Sequence, residues 1–326
     1  MNTSSDSKFK QPSIVQALKL GFNTIANKPD LILIPIALDL FLWFGPGWRI
    51  DRLFAPFVQR ITQLPSVGTG DLLPIFENYQ QILHDILANF NLATSLRTLP
   101  IGVPSLMVSK PSFLNPVGHP LTFSLNSSSQ FIVIWLLFLL FGYFLGSLYF
   151  QNISKQIIGY DQTNLKSLVK SFSQIVLMPV LLVLIMLILS IPLVLLITLI
   201  SLISPGISQF ILTLALVFIL WAVIPLIFTP HGIFLYKQNL LAAMITSIKV
   251  VRISMVKTMW FLIFSYLLVE GMNYLWRSPQ VDNWFLMIGI LGHAFIVSAV
   301  IAASFHYFID ATKFSQSVIN QSLRAR

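Results

Sequence analysis

The chain has no cysteine and few charged residues, and each scarcity excludes a class of protein. Without cysteine there is no disulfide, no thiolate metal site and no cysteine nucleophile. Charged residues make up 10% of the 326 residues, whereas about 25% is usual in soluble domains. Hydrophobic residues make up 56%, and the mean hydropathy is +0.82. The composition therefore predicts a polytopic membrane protein.

Acidic residues are especially scarce, with 11 Asp and Glu against 20 Lys and Arg, and the formal net charge is +9. The basic residues lie at the ends of apolar runs and do not gather on a polar domain. We therefore expect them to set topology and to contact anionic lipid, with no nucleic-acid partner. We expect no cleavable signal peptide, because the first apolar run begins near Leu31, contains Asp39 and lacks a small-x-small cleavage site.

One motif occurs three times along the chain. Ser13, Thr163 and Asn239 align in one column, and the alignment continues from there without a gap. Columns of small and of apolar residues follow at spacings of three and four, which are typical of one helix face. The small columns are Ala17, Ser167, Ala243 and Gly21, Ser171, Ser247, and the apolar columns include Leu18, Leu168, Met244 and Ile25, Ile175, Val251. The repeat predicts three copies of one structural unit.

The predicted fold class is all-α, with six transmembrane helices in three repeated hairpins, each preceded by a cytoplasmic interfacial amphipathic helix. Three such units can close into a bundle with approximate threefold symmetry. The predicted segments are a disordered N-terminus at 1–12, the first interfacial helix and span at 13–48, an external insertion at 49–130, the second span at 131–150, the second repeat with spans three and four at 163–235, the third repeat with spans five and six at 239–308, and a cytoplasmic tail at 309–326.

The insertion interrupts the membrane pattern. Helical stripes at 50–61 and 75–90 predict two amphipathic helices that lie on the membrane or cap the bundle, and residues 100–130 are predicted to form a loop. In the second span, Gly142 and Gly146 have the GxxxG spacing that lets another helix approach closely.

Basic residues are concentrated on one predicted side of the membrane, in the N-terminal segment, the loops at 151–173 and 236–257, and the tail. The positive-inside bias then predicts that both termini are cytoplasmic. Six of the basic residues, on or beside the interfacial helices, are predicted to contact anionic head groups: Lys19, Lys28, Lys166, Lys170, Lys249 and Arg252. Docking of a soluble partner such as an ATPase is the competing interpretation, and three similar copies favour anchoring.

The third copy carries a family resemblance. Pro230 at the end of a span, the sequence AMITS at 243–247 and Trp260 in the next span resemble a broad bacterial family of polytopic proteins that includes the membrane domain of some glycerophosphodiester phosphodiesterases. The chain departs from that family at Gln238 and Asn239, where an acidic residue is common, and has no phosphodiesterase domain. The resemblance implies a membrane-embedded module of the bacterial inner membrane and transfers no catalytic residue.

Three ionisable residues are predicted at membrane depth, where charge is costly: Asp39, Glu270 and His293. Counting ~1.5 Å per residue places them roughly 9 to 13 Å from the external ends of their spans, in one layer. One face of the fifth span carries Tyr266, Glu270, Asn273 and Tyr274, and we expect it to turn inward. A Glu270–His293 pair is predicted to serve either as a proton or cation relay or, the favoured interpretation, as a structural pair that fixes helix register.

No motif indicates catalysis, a cofactor or a metal. His84, His119, His231 and His306 lack partners at zinc-ligand spacing, and VGTGDLL at 67–73 lacks the lysine of a phosphate loop. The leading hypothesis is a non-enzymatic lipid-binding or envelope-organising membrane module, with a homo-oligomer or a membrane-protein partner left open. A proton- or cation-coupled transporter or permease component is the alternative, and a membrane-embedded enzyme acting on lipid head groups is the weakest hypothesis.

Overall fold

The computed structural model describes residues 11–62, 81–82, 86–110, 112–159 and 165–324. Helices dominate these residues, as predicted for an all-α protein. The helices are α1 (Ile14–Asn27), α2 (Leu33–Phe44), α3 (Asp51–Thr62), α4 (Ser128–Ile158), α5 (Leu165–Ser201), α6 (Pro205–Val223), α7 (Thr229–Tyr236), α8 (Leu240–Ile253), α9 (Met255–Trp276) and α10 (Leu286–Arg324). Two short strands, β1 (Gly47–Arg49) and β2 (Thr122–Ser124), pair in parallel.

Five helical segments in the described part of the chain are long and apolar enough to cross a bilayer, which requires about 20 apolar residues. They are Ser128–Ile158, Lys166–Ser201, Pro205–Tyr236, Met255–Trp276 and Leu286–Arg324. The third of these segments contains a break, because a 3₁₀ turn at Ile224–Leu226 separates α6 from α7 where Pro225 cannot donate a backbone hydrogen bond. The chain is therefore a multi-pass membrane protein.

The predicted first span is shorter than expected. A 3₁₀ turn at Pro29–Ile32 precedes α2, which has only 12 residues and rises about 18 Å, less than the roughly 30 Å of a hydrocarbon core. The helix ends at Gly45, whose backbone is extended, because the following Pro46 disfavours a helical conformation there.

The chain divides into two compact units. The helical unit comprises Met1–Lys28, Ser147–Leu267 and Ala299–Arg326, and the insertion unit comprises Pro29–Gly146 and Leu268–Ser298.

In the helical unit, the three aligned segments have closely similar burial. Ile25, Ile175 and Val251 are each at most 1% exposed, and the small column four positions earlier is buried in all three segments. The first column supplies helix caps, since the side chains of Ser13 and Asn239 accept backbone hydrogen bonds at the starts of α1 and α8. Thr163 lies outside the described residues.

The buried small residues permit close backbone contact. A Cβ atom on Gly21 would overlap the backbone of Ala299 and Ala303 in α10. In the third copy, the Ser247 hydroxyl donates to the Pro225 carbonyl at 2.6 Å and accepts from the Phe228 amide at 3.1 Å. The small column therefore lies in close contact with the backbone of another segment in both copies: the middle of α10 for Gly21, and the turn between α6 and α7 for Ser247.

In the insertion unit, part of the predicted external insertion forms the core. Seven apolar residues between 92 and 107 are at most 3% exposed: Leu92, Ala93, Leu96, Ile101, Val103, Leu106 and Met107. Residues 101–106 have irregular backbone, as predicted for the loop at 100–130, but the burial of this part of the loop was not predicted. Helix α3 lies where the first amphipathic helix is predicted, whereas most of the second, at 75–90, lies outside the described residues.

The GxxxG pair packs against this buried segment. A Cβ atom on Gly142 would overlap the carbonyl of Leu96, and one on Gly146 would come within 3.2 Å of the carbonyl of Ile101. The partner of these glycines is thus the non-helical backbone of the insertion, not the second helix that their spacing suggests. Nearby, the Tyr143 hydroxyl donates to the Leu99 carbonyl at 2.6 Å, which satisfies a polar group of that backbone.

Candidate functional site

The Asp39 carboxylate in α2 is fully buried and accepts three hydrogen bonds from the insertion. The Ser105 hydroxyl donates to Oδ1 at 2.5 Å, and the backbone amides of Leu106 and Met107 donate to Oδ2 and Oδ1 at 3.0 Å each. These three donors precede or begin the short 3₁₀ turn at Met107–Ser109. Asp39 therefore fastens the buried part of the insertion to α2.

Asp39 also interacts electrostatically with Arg97, which lies in the insertion. Burial lowers the pKa of the Arg97 guanidinium, while the negative charge of Asp39 raises it. The two side chains therefore form an electrostatic pair.

A second set of polar groups forms a continuous hydrogen-bonded chain. Arg277 Nη1 donates to Glu270 Oε2 at 3.3 Å, and Asn273 Nδ2 donates to Glu270 Oε1 at 3.3 Å. His293 Nδ1 lies 2.7 Å from Asn273 Oδ1. Because an amide oxygen only accepts, Nδ1 carries the proton and Nε2 is left as an acceptor. This Nε2 atom is buried and has no hydrogen-bond partner among the residues that the structure describes.

The structure links two of the three residues predicted for the polar layer, but not by the predicted direct contact. Glu270 and His293 do not pair directly, since Asn273 lies between them. Asp39 has its own partners, but the charge of Arg97 acts on Asp39, on Glu270 and on His293. Neither Arg97 nor Arg277 was predicted to belong to this layer. The sequence does carry a signal for Arg277, which lies seven residues after Glu270 and therefore on the same helix face.

The tyrosines of the predicted inward face are exposed. Tyr266 is 66% exposed and Tyr274 is 86% exposed, whereas Asn273 is 3% exposed. The expectation that this whole face turns inward is therefore wrong for the two tyrosines. Helical spacing predicts the direction of a side chain, but burial also requires a neighbour at the same level of the helix.

The six basic residues predicted to contact head groups are all exposed: Lys19, Lys28, Lys166, Lys170, Lys249 and Arg252. Their exposure is compatible with lipid contact. Among the residues that are described, no group of three or more His, Asp or Glu side chains could hold a metal ion. The His231 and His306 rings instead lie within hydrogen-bond distance of hydroxyls, Ser304 at 2.7 Å and Thr24 at 3.0 Å.

Neither family models nor curated proteins nor solved structures give a match to this chain. The arrangement itself offers two kinds of chemistry. The exposed basic side chains can bind anionic groups. The buried carboxyl of Asp39 and the imidazole of His293 can each take up or release a proton.

Proposed function

We propose that the chain is a non-enzymatic membrane protein that binds lipid and organises the membrane of a bacterial cell. The observation that carries this proposal is the apolar surface of the segments Lys166–Ser201 and Pro205–Tyr236, whose most apolar stretches are 0% buried within the chain. Leu187, Ile191 and Phe218 are each more than half exposed there. An apolar surface of this length is stable in contact with lipid or with another membrane protein.

The distribution of basic residues supports the lipid-binding part of the proposal. Lys19 on α1, and Lys249 and Arg252 on α8, are exposed on helices whose opposite faces are buried. Each such residue near an anionic surface contributes about 1 kcal/mol of attraction. We propose that these helices lie in the cytoplasmic interface, with anionic head groups against their basic faces.

The proposal includes three hairpins in an approximately threefold arrangement with both termini in the cytoplasm. Its support is the matching burial of the three aligned segments and the close backbone contacts that Gly21 and Ser247 make with neighbouring segments. In the first hairpin the short helix α2 takes the place of a full-length span.

The lipid-binding function predicts that the gently purified protein retains anionic phospholipid in excess over its share of the host membrane. Native mass spectrometry of the protein released from detergent measures the bound lipids. The triple variant Lys19→Gln, Lys249→Gln, Arg252→Gln is expected to lose most of this enrichment, because three attractions of about 1 kcal/mol are removed. A wild-type protein whose bound lipids match the bulk composition would contradict the proposal.

Proton- or cation-coupled transport is the second candidate, and the chain from Arg277 through Glu270 and Asn273 to His293 favours it. A proton bound at His293 Nε2 would create a cation whose charge the Glu270 carboxylate stabilises through Asn273. In proteoliposomes with a pH gradient, Glu270→Gln is then expected to abolish the flux reported by an internal pH-sensitive dye. Tyr274→Phe, an exposed change on the same helix, is the matched control. Wild-type protein that carries no flux would exclude transport of this kind.

A further inference from the structure

A half-open cavity of about 320 Å³ lies in the helical unit, between the start of α5 and the end of α7. Its volume is at the lower end of the range for small-molecule sites. Its charged lining residues are all lysines: Lys166, Lys170 and Lys237. No carboxylate lines it within the described part of the chain, and Lys170 and Lys237 form no ion pair there. The cavity therefore has a strongly positive wall.

Two of these lysines are placed where helix electrostatics oppose them. Lys166 and Lys170 lie in the first two turns of α5, where the helix dipole favours negative charge. An anion in the cavity would offset this unfavourable position for Lys170, which forms no ion pair within the described part of the chain.

Lys237 has an unusual backbone. Its φ angle is +51°, in the left-handed region that favours glycine, and it ends α7 by donating its backbone amide to the Gly232 carbonyl. Burial lowers the pKa of its ammonium group, which a bound anion would reverse. A glycine would suit this backbone better, so the lysine side chain is the feature that needs an explanation.

The remaining wall supplies polar groups and a rigid frame. Gln174 accepts from the Leu240 amide at 2.7 Å, which joins α5 to the start of α8. Gln238 donates to the Thr246 hydroxyl at 3.1 Å. These bonds hold the cavity in place without using the ammonium groups of the lysines.

We propose that this cavity is a specific binding site for a phosphate group, either on an anionic lipid head group or as a free phosphate ester. In the first case the site deepens the lipid-binding function proposed above and rests on it. It differs from general attraction to the membrane surface because one phosphate is held by a defined set of lysines. Ammonium groups are strong point-charge partners for phosphate oxygens.

The test uses the full-length protein in neutral detergent and three probes. These are a short-chain phosphatidylglycerol, a diacylglycerol of equal chain length that lacks the phosphate, and inorganic phosphate. Binding is measured by native mass spectrometry and by the shift in thermal unfolding. Saturable one-to-one binding of phosphatidylglycerol, but not of the diacylglycerol, is expected. Competition by inorganic phosphate would identify a free-phosphate site, and its absence a lipid site.

Lys170→Gln and Lys237→Gln are each expected to weaken phosphatidylglycerol binding about fivefold, and the double variant about 30-fold. Lys237→Gly distinguishes a loss of binding from a loss of folding. It should weaken phosphatidylglycerol binding about fivefold, as Lys237→Gln does, but should unfold at a temperature equal to or higher than that of the wild type. Lys313→Gln, which removes an exposed charge of α10 outside both the cavity and the proposed head-group contacts, should change the affinity less than twofold.

If the double variant binds phosphatidylglycerol as tightly as the wild type does, the cavity is not the binding site. Such a result would leave the proposed lipid-binding function standing if the wild-type protein still retains excess anionic lipid. Conversely, a wild-type protein that retains no excess anionic lipid, but whose cavity binds inorganic phosphate, would contradict the general function and support a free-phosphate site.

Discussion

Replacing Asp39 by alanine is expected to destabilise the insertion unit by about 3 kcal/mol or more. The change leaves the Ser105 hydroxyl and the amides of Leu106 and Met107 without their acceptor, and a buried donor without a partner costs about 1 to 3 kcal/mol. Thermal unfolding in detergent measures the loss. Proteolysis of the segment 91–110 should accelerate in parallel, because that segment is the part that Asp39 holds.

Asp39→Asn is the matched control, since it keeps one acceptor oxygen whereas Asp39→Ala keeps none. It should therefore retain part of the stability that Asp39→Ala loses. An unfolding temperature of Asp39→Asn no higher than that of Asp39→Ala would show that the hydrogen bonds accepted by Asp39 do not hold the insertion.

Gly21→Ala is expected to destabilise the helical unit by about 2 to 3 kcal/mol, which is a large effect for a single methyl group. The added Cβ would overlap the Ala299 carbonyl and the Ala303 amide, and neither backbone atom can move without displacing α10. Overpacking of this kind costs typically about 1 to 3 kcal/mol. The unfolding temperature of the purified protein measures the change.

Gly271→Ala provides the control for Gly21→Ala. It makes the same chemical change inside α9, but apart from the adjacent backbone of α9 itself, no heavy atom of the described residues lies within 4 Å of the added Cβ. Alanine is about 0.5 to 1 kcal/mol more favourable than glycine inside a helix, so this variant should be slightly more stable than the wild type. If both variants behaved alike, the close approach of α1 and α10 would not be a stabilising contact.

The hydropathy of the chain predicted most of the helices because long apolar runs have few other stable conformations in a membrane. It did not predict the burial of residues 92–107. That segment has apolar residues without a regular period, and its backbone polar groups are satisfied by side chains distant in sequence, such as Asp39 and Tyr143. Gly142 illustrates the limit: its spacing predicted a close backbone approach, but not that the partner would be the carbonyl of Leu96.

Most residues of the candidate site could be predicted from the sequence, but the hydrogen bonds between them could not. Asp39, Glu270 and His293 are notable in the sequence because ionisable groups are rare in apolar runs. Which groups pair depends on distances across different segments, and these follow from packing. Asn273 was identified as a face residue, but its role between Glu270 and His293 required the relative positions of α9 and α10. No sequence pattern around Arg97 distinguishes it from the other basic residues of the insertion.

The parallel pairing of β1 with β2 holds the two ends of the insertion next to each other. Gly47 pairs with Thr122 and Arg49 with Ser124, and the Trp48 amide donates to the Asn91 side chain at 3.0 Å. Arg49 and Thr122 therefore stay side by side whatever length of chain joins them. Extra chain between two such points is inexpensive, since doubling a flexible loop costs only about 0.6 kcal/mol. A fused domain placed between β1 and β2, away from the buried residues 91–107, should accordingly disturb the membrane helices least.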